Sequence, residues 1–259
     1  MKTSGITRLF CSLLLTFAVS AAFGQGLYWE STTTVPQAGG KVTNGKNYAM
    51  PKMFKFEDEG STIIVRLDRE KIYTANHTKK TYTEMTFAEM EEFAGKMKSQ
   101  MGGMNAQLEE KLKNLPPDQR KMMEERMSAF MPKTGTDQKV DLKATGDQKT
   151  IGGHPCKRYS AVRGDKELAS FWIASDVHGF DNMKKDWLEF SKRMASLSPM
   201  SSLADAYQKI DGFPMETDMS GGVTSVVTKL EARSTPAGEF EVPSGYTKTT
   251  LDQMGAPGK

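Results

Sequence analysis

Between residues 27 and 85 the chain alternates apolar or β-branched runs with charged turn segments about every ten residues, a rhythm that commits it to short-looped antiparallel strands. LYWESTTTV is rich in aromatic and β-branched residues, which suit a half-buried pleated surface. In STIIVRLD, Ile63, Val65 and Leu67 fall on one face, and Arg66 and Asp68 fall on the other. Glu57-Asp58-Glu59-Gly60, Asp68-Arg69-Glu70-Lys71 and Asn76-His77-Thr78-Lys79 read as the turns of a meander. The β pattern returns over 139–175, where KRYSAV and ELASFWIAS flank a hairpin turn at Arg163-Gly164-Asp165. It closes the chain with FPMETDM, a Ser220-Gly221-Gly222 turn, VTSVVTKLEA and FEVPSGYTKTT.

Two stretches break this period. From Thr86, residues Phe87, Met90, Phe93, Met97, Met101, Met104, Leu108 and Leu112 recur three or four apart, behind a Thr86/Glu89 pair that reads as a capping box. Gly102-Gly103 splits or kinks that helix, and Pro116-Pro117-Asp118 opens another with Met123, Met127 and Phe130 aligned. The second stretch aligns Met183, Trp187, Phe190, Met194 and Leu197 before Pro199, with a short helix near 203–209. Strands before, between and after two helical insertions predict an α+β fold. Its form is a curved antiparallel sheet, an open half-barrel with helices packed on the concave face, as one domain over 25–252 with a frayed tail at 253–259.

Residues 1–24 carry Lys2, Arg8 and an apolar run too short to span a bilayer, and Ala22 and Gly24 frame a cleavage site before Gln25. This predicts a cleaved secretory signal and a periplasmic chain. No small residues lead up to Cys11 as lipid attachment requires, so no lipid anchor is expected. Removing 1–24 takes away two of the 35 basic residues and none of the 32 acidic ones, leaving a net charge of +1. Acids and bases are interspersed, which argues against nucleic acid as a partner. With Cys11 removed, Cys156 is left without a disulfide partner, and stability must come from a core.

His154 and Cys156, two apart on a strand, share a face and could offer two ligands to zinc or copper. The third would have to come from His77 or His178, both in turn-like surroundings, and the stronger reading is a strand start with a buried thiol. Met97, Met101 and Met104 could present three thioethers to Cu(I) or Ag(I). Their stripe continues through Phe87, Met90 and Phe93, however, which offer a metal only bulk. Packing or an apolar ligand surface is therefore preferred, and methionine's flexibility suits variable partners. No G-x-S-x-G, H-E-x-x-H, C-x-x-C or glycine-rich phosphate loop occurs, so neither an enzyme nor a cofactor is expected.

Taken in order, LYWESTTTV, IIVRLDREKIYTANHTKKTYTEM, LPPDQRKMMEERM, IGGHPCKRYSAV with FWIAS, DGFPMET and FEVPSGYTK resemble exported bacterial proteins of the DUF4412 family. By architecture that family is similar to the LolA/LolB group of periplasmic lipoprotein carriers, in which helices cover an open half-barrel and acyl chains lie between. The resemblance implies a fold and a compartment, and none of the carriers' functional residues can be placed on this chain. The expectation is a non-enzymatic carrier or binding protein for an apolar ligand such as a lipid or lipoprotein acyl chain, with a transient envelope protein as a second partner. Met90, Phe93, Met97, Met101, Trp187, Phe190 and Met194 are the candidate contacts. Such a pocket should enclose an apolar cavity of about 300 Å³ or more. The alternatives are a Cu(I)/Ag(I)-binding protein and a structural or interaction module of the envelope.

Overall fold

The structure, a computed structural model, describes residues 26–36, 39–96, 99, 103, 116, 140–195 and 209–250. The first meander runs through β1 (Gly26–Val35), β2 (Lys41–Met50), β3 (Met53–Glu57), β4 (Ser61–Arg66), β5 (Lys71–Asn76) and β6 (Thr81–Thr86). The second runs through β7 (Asp141–Ile151), β8 (His154–Arg163), β9 (Lys166–Ala174), β10 (Phe213–Met219) and β11 (Thr224–Arg233). They join where β1 pairs with β11, giving one sheet in the order β12-β6-β5-β4-β3-β2-β1-β11-β10-β9-β8-β7. Among the described pairings, β12 (Thr247–Lys248) on β6 is the parallel one.

Local chemistry sets the turns. Gly152 and Gly153, at φ +57° and +87°, link the paired residues Ile151 and His154, a two-residue hairpin that few other residues tolerate. Gly164, at φ +59°, opens the turn between Arg163 and Lys166. At the β3–β4 turn the Asp58 carboxylate accepts the backbone N–H groups of Gly60 and Ser61, both at 2.7 Å. The capping box is present. The Thr86 hydroxyl accepts the Glu89 N–H at 3.1 Å, and the Glu89 carboxylate accepts the Thr86 N–H at 2.8 Å. Helix α1 (87–96) starts there, and α2 (Asp181–Ala195) lies between β9 and β10.

Laid flat, such a sheet would be about 50 Å wide at about 4.8 Å per strand. Yet one buried cluster takes in Ile72 of β5, Trp29 of β1, Phe213 of β10 and Cys156 of β8 together with Met183 of α2. The sheet curls, and α2 lies in its hollow. A second cluster gathers Ala161, Ala169, Phe171 and Ile173 of β8 and β9 with Val140 and Ile210.

The outer face of the first meander is covered as well. After β11, residues 234–249 form a strap across it. Phe240, fully buried, packs with Met50 and Ile64, and Glu241 pairs with Arg66 at 2.6 Å and Arg69 at 2.9 Å. Arg66 also holds Asp68 at 2.8 Å and donates to the Phe240 carbonyl. The Tyr246 hydroxyl meets His77 Nδ1 at 2.8 Å, and His77 Nε2 meets the buried Thr62 hydroxyl at 3.0 Å. One reading is corrected here. FEVPSGYTKTT is mostly not strand, because Phe240 and Glu241 anchor the strap and Pro243 and Gly245 interrupt pairing. Both faces of β4 are covered: Val65 is buried on the inner side, and Ile64 and Arg66 are buried under the strap, while Ile63 is 37% exposed.

Candidate functional site between helix and sheet

Helix α2 turns Met183, Trp187, Phe190 and Met194 to one side, at spacings of four, three and four. The sheet meets them with Leu27 and Trp29 of β1 and Phe54 and Phe56 of β3, each pair two residues apart and on one face. The Trp187 ring stands edge-on to Trp29, Phe54 and Phe56, with centroids at 6.1, 5.6 and 6.3 Å. Phe190 stacks on Phe54 and Phe56 at 5.5 and 5.6 Å. Phe213, at the start of β10, lies 5.4 Å from Trp29 and closes the other side. A bulge at Met215 shifts the β9–β10 register, and both Phe213 and Met215 are buried in the same cluster.

These rings fill the seam. The gap lined by Leu27, Trp29, Ala49, Phe54, Phe180, Met183, Trp187 and Phe213 is too small to hold a water molecule. The preformed cavity expected of a carrier is not found there, because Trp187 and Phe190 occupy the hollow themselves. One polar atom is left over: the indole N–H of Trp187 is buried and has no hydrogen-bond partner among the described residues.

Polar contacts also tie α2 along its length. The Lys52 backbone N–H donates to Asp186 at 2.8 Å, and Lys184 pairs with Asp211. Arg193 reaches Glu70 at 2.9 Å and lies over the Phe87 ring at 4.5 Å, joining α2 to α1. Apart from the Phe87 contact, these are polar links at the surface.

Of the residues selected from the sequence, Met90, Trp187, Phe190 and Met194 meet in one cluster. Phe93 is 47% exposed and lies apart from it. Met97, Met101 and Met104 lie outside the described residues. Cys156 is 1% exposed, its thiol pushed upward by burial, and His154 pairs with Asp176 at 3.1 Å. The sheet rings Trp29, Phe54, Phe56 and Phe213 were not selected. The two-residue spacing of Phe54 and Phe56 is a readable signal, whereas Phe213 meets Trp29 only through sheet pairing between strands remote in sequence.

An open antiparallel half-barrel with an aromatic-faced helix in its hollow is the class that this geometry defines. The chain belongs to the DUF4412 family, described as a domain of unknown function, whose model matches residues 88–246. No curated protein matches the sequence. Among solved structures, the chain is similar to PNGF-II at 8% identity, covering 88% of this chain and 32% of that one with a TM-score of 0.38. It therefore spans about a third of that protein's length. It is also similar to a chain of the Pseudomonas aeruginosa MucA/MucB complex at 8% identity, with 88% and 59% coverage and a TM-score of 0.42. A LolA superfamily protein from Nitrosomonas europaea shows 6% identity, 85% and 91% coverage and a TM-score of 0.27. Likenesses of this degree say nothing about activity.

Proposed function

We propose that this is a non-enzymatic binding protein or carrier for an apolar ligand, such as a lipid or a lipoprotein acyl chain. In this reading it acts in the periplasm after loss of residues 1–24. The observation that carries it is the seam. Rings from β1, β3, β10 and α2 meet in one continuous apolar surface, and the other ties of the helix supplying one side are mostly surface polar contacts. Apolar burial is non-directional and is worth about 0.8 kcal/mol per methylene, so an alkyl chain can replace ring contacts without geometric penalty. In this reading α2 is the movable wall of the site. Native mass spectrometry of gently purified protein should reveal copurified lipid, and an environment-sensitive naphthylamine dye should bind with saturation. Absence of both would remove this reading.

A second reading, a structural or interaction module of the envelope, is favoured by one observation: the seam admits no water-sized sphere. In that case the rings are permanent core, and neither lipid nor dye should be found.

A further inference from the structure

The leftover donor in the seam carries information about the ligand. A buried N–H without a partner is costly, and native proteins rarely leave one without reason. Trp187 Nε1 is such a group, and the other residues lining the gap that Trp187 borders (Leu27, Trp29, Ala49, Phe54, Phe180, Met183 and Phe213) offer no oxygen or nitrogen acceptor on their side chains, only the weak Met183 thioether. A phenylalanine would fill the same ring site without the unsatisfied donor. We propose that Trp187 is a specificity residue whose indole N–H donates to a neutral carbonyl oxygen, an ester or amide, carried by the apolar ligand. This rests on the carrier reading above and adds the chemical class of what is carried. A carboxylate fits less well, because among the described residues no charged side chain lines the gap to compensate an ion transferred from water. A plain hydrocarbon would leave the donor as it is.

The test compares methyl palmitate with hexadecane and palmitate as competitors of a bound naphthylamine dye, in the wild-type chain and in Trp187→Phe. The wild type should prefer methyl palmitate over both competitors. Trp187→Phe should lose about tenfold in affinity for methyl palmitate and little for hexadecane, the scale of one hydrogen bond in an apolar site. Equal losses for ester and hydrocarbon, or no ester preference in the wild type, would overturn this assignment and leave the carrier reading standing. Displacement by none of the three in the wild type would overturn both. Should Trp187→Phe fold poorly, ¹⁵N-labelled wild type gives the same answer. Its three tryptophans (Trp29, Trp172 and Trp187) give three indole N–H signals, and one should move downfield with methyl palmitate and stay in place with hexadecane. An unmoved signal in the presence of bound ester rules the hydrogen bond out.

Discussion

The two faces of the first meander are both covered, by opposite means. On the inner face α2 is held through rings: Trp187 and Phe190 against Trp29, Phe54 and Phe56. On the outer face the strap is held mainly through polar contacts, with Phe240 beneath a cluster of Arg66, Asp68, Arg69 and Glu241 and Tyr246 bound to His77. Rings bury area without specifying a partner, whereas forked guanidinium contacts accept one geometry. The strap is thus fixed mainly by directional contacts, and the helix mainly by buried area.

Four measurements can break this contrast or sharpen it. The largest effect should come from Phe54→Ala, which removes a fully buried ring touching both Trp187 and Phe190. Denaturant unfolding should show a loss of about 3–5 kcal/mol that is the same at pH 7 and pH 4. Arg66→Ala should cost about 2–3 kcal/mol at pH 7, because its two carboxylate partners and the Phe240 carbonyl lose a charged donor.

That second cost should depend on acidity. Arg66 holds the Asp68 carboxyl below its ordinary value of 3.8. Burial alone would raise Glu241 from 4.5, but Arg69 and Arg66 together bring it lower. Both folded-state values are depressed, so the clamp's contribution is complete above pH 4.5 and falls away as pH drops through the depressed values. The gap between wild type and Arg66→Ala should therefore shrink under acid while the Phe54→Ala deficit persists. Equal pH dependence for both variants would erase the distinction between the two faces.

Smaller effects test the helix ends. Thr86→Ala should cost about 1 kcal/mol through loss of the α1 cap, read as a lower melting temperature. Arg193→Ala should cost under about 1 kcal/mol in stability, since its ion pairs with Glu70 and Glu189 are solvent-facing. If α2 is the movable wall, the same variant should speed dye binding in stopped flow. An unchanged rate would show that this latch does not govern access.

Much of the fold was legible in periodicity, because a strand with one covered face must alternate and a helix beside it must repeat every three or four residues. The hairpins at Gly152-Gly153 and Gly164 and the Thr86/Glu89 box could be read because their chemistry is local. The strap was not legible. Phe240, Glu241 and Tyr246 look like strand residues, and their partners Ile64, Arg66 and His77 are far away in sequence. The site was half legible for the same reason. Trp187, Phe190 and Met194 announce a helical face, but a ring that will cover Trp187 carries no mark distinguishing it from any other strand aromatic, and whether the hollow is filled depends on side-chain volumes meeting across it.

Each meander is made of neighbours in the chain, yet the two halves are stitched by β1 against β11, from Gly26 with Arg233 to Thr34 with Thr224. Contacts so remote in sequence form slowly. A chain emerging amino end first must keep one margin of its first strand bare until the second meander is complete, so assembly of the hollow is a late event. A chain ending at Gly222 should show a formed first meander by hydrogen exchange and an unprotected β1 margin, an aggregation hazard that a holdase binding extended segments would relieve.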